Sequence, residues 1–341
     1  MHDKIFRFYA TTIGGLEDVV LDDVRRELKS LEKVRFERGG RLGRIFFHYE
    51  RSPRHLLGLN STLGMFALVA EIFGITVGGP AIEYLARKIG ALDLEPVRRL
   101  ARACSAASDI CKYDLNITLQ GNHRFTAHRL RRAVREVMEG QHGLVKGNGG
   151  LSFQLQVTGK RALLGLHLDG RSMEVALTHC LARLIGVQSE DTVVALGGRP
   201  DALLALKEVQ RPRLVLGLSR RRQSNSVEGP GLSLARYGDP MPLSDASVNC
   251  ALGVGYDGRT GVEMADLAEI ARILQPGGVA VLLVRKPREF AAYMQNANYP
   301  FGVMAGLPIN LRGRRWGVLL LERLVEFHAS DDLLNIEWDN M

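Results

Sequence analysis

The sequence is short of cysteine and has no long apolar run and no low-complexity tract, and each shortage removes a class of protein. Its four cysteines, Cys104, Cys111, Cys180 and Cys250, form no Cys-x-x-Cys pair and have no histidine cluster beside them. That spacing excludes a disulfide framework or a zinc finger as the organising device, and the four read as buried free thiols. No stretch reaches the roughly 18 apolar residues that a membrane-spanning helix needs. The opening, Met1-His2-Asp3-Lys4-Ile5-Phe6-Arg7, has neither the apolar stretch nor the small-residue cleavage site of a secretory signal. A cytoplasmic protein with no metal site and no membrane association is expected. No internal repeat is visible, which excludes solenoids.

What is present fits a folded, basic protein. The 341 residues are 46% hydrophobic and 24% charged, enough for two or three domains with real cores. A formal charge of +8 suits a polyanionic partner, because clustered Lys and Arg release counterions from phosphates.

Residues 4 to about 75 pattern as a small α+β unit. Ile5 to Ala10 alternates like a strand, and Arg44 to Tyr49 reads as another. Between them Gly14-Gly15 precedes a helix with Leu16, Val19, Val20, Val24 and Leu28 on one face and Glu17, Asp18, Asp22 and Asp23 on the other. Residues 80 to 172 make a second unit, with helices near Ala81 to Ile89 and Glu95 to Ala107 and a strand over Asp114 to Gln120. Between 128 and 139, Leu130, Ala133, Val134, Val137 and Met138 form an apolar helical stripe, and His128, Arg131, Arg132 and Arg135 fall opposite it. Strands over Ser152 to Val157 and Ala162 to Leu168 follow, joined by the turn Thr158-Gly159-Lys160-Arg161. From Met173 a helix to Ile185 leads into strand-then-helix alternation, which implies a parallel sheet with crossover helices. The expected divisions are 1–78, 79–172 and 173–329, with an acidic tail over 330–341.

The chemistry-bearing candidates lie mostly in the last division. Val193-Val194-Ala195-Leu196 feeds Gly197-Gly198, and Leu214-Val215-Leu216 ends at Gly217-Leu218-Ser219. Gly238-Asp239 follows, then Val248 to Tyr256, then the turn Gln275-Pro276-Gly277-Gly278. Glycines between a strand and a helix allow a ligand close to exposed amides, although such a pair also serves as a plain turn. Asp239 either opens a loop or holds an amine, and Tyr256 is either a packed ring or a stacking surface. No Gly-x-Gly-x-x-Gly with a downstream acid is present, which argues against a nucleotide-dependent oxidoreductase. Arg124, Arg129, Arg131, Arg132 and Arg135 gather around the 128–139 helix, and their guanidinium forks match phosphate oxygens. Arg220-Arg221-Arg222 reads as a surface run, an RNA contact or a substitute anion site. Arg312, Arg314 and Arg315 fall in a hairpin turn and read as solvated.

Over nearly the whole chain this order of units resembles one family, the THUMP-domain RNA methyltransferases of the tRNA guanine-N2 type. Phe8 to Asp18 looks like the family's opening strand, turn and helix, with Gly14 where a proline is usual. Leu119-Gln120-Gly121-Asn122-His123-Arg124-Phe125 and the Arg-rich helix are similar to the THUMP signature, and Leu164 to Gly170 to its closing strand. Met173 to Ile185 and Gln275 to Gly278 match the helix before the methyltransferase domain and its late turn. The resemblance implies an N-terminal α+β ferredoxin-like/THUMP region and a C-terminal Rossmann-like methyltransferase domain with a mostly parallel seven-stranded sheet. It also implies S-adenosyl-L-methionine as cofactor and structured RNA, tRNA foremost, as substrate. Carried over, it puts Gly197 and Gly198 at the methionine part of the cofactor, Ser219 at the ribose, Asp239 at the adenine amine and Tyr256 on the flipped base.

The sequence departs from the family where chemistry is expected. Ala195 stands for the acid that ends the first strand, and Ser219 for the acid that receives both ribose hydroxyls. Arg199-Pro200 crowds the glycine turn. Gly253-Val254-Gly255-Tyr256 replaces a segment of Asn or Asp, two prolines and Tyr. Methyl transfer from a sulfonium depends on in-line placement. The expectation is therefore an RNA-binding member with impaired catalysis, serving RNA or a protein partner. An active guanine-N2 methyltransferase with an unusual site is the alternative.

Overall fold

The computed structural model describes residues 7–38, 40–197, 200–219, 231–236, 240–254, 262 and 266–325. Its elements begin β1 (Arg7–Ile13), α1 (Glu17–Glu27), β2 (Leu31–Glu37), β3 (Leu42–Tyr49), β4 (Gly64–Phe73), α2 (Pro80–Gly90), α3 (Glu95–Cys104) and β5 (Lys112–Gln120). Then come α4 (Ala127–Gly140), β6 (Val145–Lys146), β7 (Leu151–Thr158), β8 (Arg161–Asp169), α5 (Met173–Ile185), β9 (Thr192–Leu196), α6 (Pro200–Gln210) and β10 (Leu214–Ser219). The chain continues with β11 (Leu232–Arg236), β12 (Val248–Gly253), α7 (Asp266–Ile273), β13 (Leu274–Val284), α8 (Pro287–Asn296), β14 (Phe301–Leu311) and β15 (Arg314–Arg323). Two compact units result. One holds the described residues up to Thr11, Val24–Glu37 and Arg44–Gly170; the other holds Thr12–Asp23, Arg38–Gly43 and the chain from Arg171.

An eight-stranded sheet, in the order β2-β3-β1-β4-β8-β7-β5-β6, carries the first unit. Strands from both sides of residue 78 share it, because β4 pairs antiparallel with β8. Periodicity did not announce β4: its first four residues are all buried, so the apolar–polar alternation that marks a half-buried strand is missing. β5 and β7 are parallel, and α4 supplies the crossover that a parallel pair requires. Tyr9 stacks on Phe66 at 4.8 Å and tilts against Phe46 at 5.4 Å. Gly165 makes room for it, since a Cβ there would collide with Tyr9 Oη. α2 and α4 pack together, and Leu85, Ile89, Leu130, Val134 and Met138 are wholly buried.

The second unit is a Rossmann-like sheet in the order β11-β10-β9-β12-β13-β15-β14. It is parallel from β11 to β13, and β15 runs antiparallel to both β13 and β14. β9 is buried at every residue, as a strand covered on both faces should be. Gln275 to Gly278 differ from the expected turn before a strand. They form an irregularity inside β13, where the register jumps from Leu274 to Val279 while β12 advances from Val248 to Cys250. Gly277 takes φ +77° there.

Two expectations need correction. Glu17 and Asp23 do not lie on a solvated face of α1; each is 3% exposed. Glu17 Oε2 accepts from the Gly15 amide at 2.8 Å. Asp23 Oδ1 lies 2.6 Å from Arg183 Nε, and Asp23 Oδ2 lies 3.1 Å from His179 Nε2. A carboxylate can leave water when donors and a cation follow it inside, and helical periodicity does not register that pairing. Of the four thiols, Cys104, Cys180 and Cys250 are buried as expected, but Cys111 is exposed.

Candidate functional site

α4 builds the basic site. Thr126 caps it, its Oγ1 accepting from the Arg129 amide at 3.3 Å. Leu130, Val134 and Met138 recur every four residues and turn inward, so the residues opposite must face out. His128, Arg131, Arg132 and Arg135 accordingly line a cleft of about 650 Å³, with Tyr113, Asp114 and Leu115 of β5 and Lys146 of β6. Arg132 and Arg135 each contact a glutamate one turn on, Glu136 at 3.2 Å and Glu139 at 2.8 Å. Exposed pairs at this spacing are worth about 0.3–0.5 kcal/mol, so a phosphate can displace them. Arg131 makes no ion pair among the described residues. The buried Tyr113 hydroxyl has no hydrogen-bond partner among them either. Burial first, and then the nearby Glu139 carboxylate, raises its pKa. It therefore stays neutral.

The structure brings together three of the five arginines singled out in the sequence. Arg129 is exposed on α4 but is not among the residues that line the cleft. Arg124 lies in the loop before α4, its amide donating to Val77 O at 2.8 Å. Lys146 was missed, since a two-residue edge strand leaves no periodic signal; only the parallel pairing of β6 with β5 places it at the cleft.

The second candidate place is the carboxyl end of the second sheet. Strand order reverses where β9 adjoins β12, the switch point at which such sheets take ligands. Gly197 adopts φ +76°, and its amide donates to Leu218 O at 2.9 Å. Leu196 O accepts from Val254 N at 3.1 Å. The ends of β9, β10 and β12 thus present Leu196-Gly197, Ser219, which is 4% exposed, and Gly253-Val254. None of these described residues carries a carboxylate or an amide side chain. Gly198, Asp239 and Tyr256 lie outside the described residues, as do Arg220, Arg221 and Arg222. No group of His, Cys, Asp and Glu suited to a metal occurs among the described residues, and no helix there is long and apolar enough to cross a membrane.

Taken together, the two sheets define a methyltransferase fold: a Rossmann-like C-terminal domain preceded by an N-terminal α+β region. Solved structures share it. TrmN from Thermus thermophilus superposes with a TM-score of 0.69 at 18% identity, over 94% of this chain and 100% of that one. SMU.472 complexed with SAH gives 0.63 at 11% identity, over 93% and 98%. A predicted N6-adenine-specific DNA methylase from Listeria monocytogenes str. 4b F2365 gives 0.62 at 12% identity, over 93% and 96%. At such identities the likeness is one of fold. No protein-family model and no curated protein matches the sequence.

Proposed function

We propose that this chain is a cytoplasmic RNA-binding protein of the THUMP and methyltransferase type, directed at structured RNA and foremost tRNA, and impaired in S-adenosylmethionine-dependent methyl transfer. The α4 cleft carries the reading. Arg131, Arg132, Arg135 and Lys146 bring four cations to one opening, with Asp114 the one acid lining it. Guanidinium forks grip phosphate oxygens in two directions. Replacing Arg131, Arg132 and Arg135 with Ala should weaken tRNA binding and flatten its salt dependence by about 0.9 logarithmic units per lost phosphate contact. Unchanged affinity and slope would remove the assignment.

The impaired-transfer half rests on what ends β9 and β10. Ala195 has no polar reach, and Ser219 offers one hydroxyl where a ribose takes a carboxylate. If each lost charge-assisted contact costs about 1.5–3 kcal/mol, two losses move a micromolar site to roughly millimolar. Calorimetric titration with S-adenosylmethionine should then show no binding at micromolar concentrations, and labelled methyl should not reach bulk tRNA. The second reading, an active guanine-N2 methyltransferase, is favoured by the near-complete fold match to a protein complexed with SAH. It would use Asp239 for the adenine amine and Tyr256 for the target base. Micromolar binding abolished by Asp239→Ala, with labelled guanine in the RNA, would establish it instead.

A further inference from the structure

We propose that the second unit carries its own RNA-binding surface, an arginine patch built from the 38–43 loop and the β14–β15 turn; this rests on the RNA reading above. In the sequence Arg38 and Arg41 stand some 270 positions from Arg312, Arg314 and Arg315, and each group alone reads as ordinary solvated surface. The fold joins them. The Asn310 amide donates to Gly14 O at 2.8 Å, and Gly15, at φ +94°, lies so close to Pro308 O that no Cβ would fit. These contacts fix the end of β14 beside the start of α1. On its other side Gly43 packs over Glu17, which sets the loop against the same turn of helix, and Arg38 NH2 lies 3.0 Å from Asp18. Arg41 Nε consequently sits 3.3 Å from where a Cβ on Gly313 would be. All five arginines are exposed.

Charge and shape favour a phosphate partner. Arg38 meets exposed Asp18 at 3.0 Å and Arg312 meets half-buried Glu174 at 2.9 Å, and the exposed pair exchanges readily. Arg41 and Arg314 make no ion pair among the described residues. Nearby Asp22 is exposed, while Glu17 is buried and occupied by the Gly15 amide. Arg312 itself takes φ +52° ahead of Gly313 at +80°, in a tight turn where Asn or Gly is the easier choice. The backbone strain at this tip points to a role for the Arg312 side chain beyond the turn. The exposed large apolar residues among those described are Phe73, Val77, Val145, Leu204, Met304 and Val325. None belongs to the patch, so it lacks the apolar anchor of a protein interface.

The test uses the full chain and bulk tRNA, with binding followed across potassium chloride concentration. Arg41→Gln with Arg314→Gln should reduce the salt slope by about two and weaken binding roughly tenfold to a hundredfold near 0.1 M salt. Asp18→Asn with Glu174→Gln, which frees Arg38 and Arg312, should tighten binding and steepen the slope. Partial unfolding cannot produce that opposite result, and thermal melts of all variants check the fold. If the Arg131, Arg132 and Arg135 variant loses RNA while neither patch variant changes it, the patch is wrong and the first site stands. If no variant changes binding, both fail. Loss of binding to phosphatidylserine vesicles, rather than to tRNA, in the Arg41 and Arg314 variant would overturn the RNA assignment in favour of a membrane surface.

Discussion

Asp23 offers the sharpest test of how the second unit is held together. Its side chain is 2% exposed, with Arg183, 13% exposed, 2.6 Å from one oxygen and His179, 1% exposed, 3.1 Å from the other. Asp23→Asn keeps the volume and leaves the guanidinium with its charge but without that carboxylate. Stripping one partner from a buried pair costs about 3–5 kcal/mol, because the remaining charge keeps its desolvation and loses that carboxylate. A unit of this size unfolds in urea with a slope near 2–3 kcal/mol/M, so the midpoint should fall by roughly 1.5 M. Trp316, 2% exposed on β15, reports this unit by fluorescence, and a Trp338→Phe background makes it the only tryptophan. Adding Arg183→Met to Asp23→Asn removes the guanidinium and should recover part of the loss. A midpoint shift under about 0.3 M for Asp23→Asn, or two losses that simply add, would show that the pair is not what stabilises the helix contact.

Gly165→Ala should destabilise the first unit by about 1–3 kcal/mol, because its Cβ collides with Tyr9 Oη. Tyr9→Phe should relieve only part of that in the double variant, because the ring carbon Cζ also lies 2.9 Å from that Cβ, and thermal melts followed by circular dichroism will show how much. Tyr9→Phe alone should be close to neutral, since the buried hydroxyl has no hydrogen-bond partner among the described residues. Glu269 supplies a pH test. Its side chain accepts from Arg272 at 2.8 and 2.9 Å and from the Met241 amide at 2.5 Å, and its carboxyl titrates below the usual range chiefly because Arg272 donates to it. A depressed folded pKa means the unfolded chain takes up the proton first as pH falls. The stabilisation is therefore complete above the ordinary carboxylate value, about 4.3, and lost through the lower folded value. Urea midpoints of the parent and of Glu269→Gln should differ by a constant amount above about pH 5.5 and converge below about pH 4.3; a gap that persists or widens toward pH 3 contradicts the assignment.

Much of the architecture was legible where one physical signal dominates. α5 occupies Met173–Ile185, the span its apolar pattern predicts, with Ser172 as cap and Gly186 in the left-handed conformation after it. α4 follows its stripe, and β9 and β10 follow their apolar runs. β4 was not legible, because burial on both sides erases alternation. Glu17 and Asp23 were misplaced because a helical wheel sorts by polarity and does not know which carboxylates meet a donor inside. At the α4 cleft the three arginines on one helical face came together, whereas Arg124 and Arg129, equally basic, do not line it. The meeting of Arg41 with the Gly313 turn depends on long-range pairing that no local pattern encodes.

The assignment of Thr12–Asp23 and Arg38–Gly43 to the second unit has a consequence for biosynthesis. These pieces leave the ribosome well before the sheet they join, whose last strand ends at Arg323. At about 5–20 residues per second, the stretch Thr12–Asp23, with Leu16 and Val20 among its apolar residues, must wait on the order of 15–60 s for its partners. The second unit therefore completes its folding only after its last strands are made. A fragment starting at Arg171 would lack the carboxylate that faces Arg183 and His179, whereas a nascent chain stalled at Gly170 would expose an unclaimed helix, an opening for chaperones during synthesis.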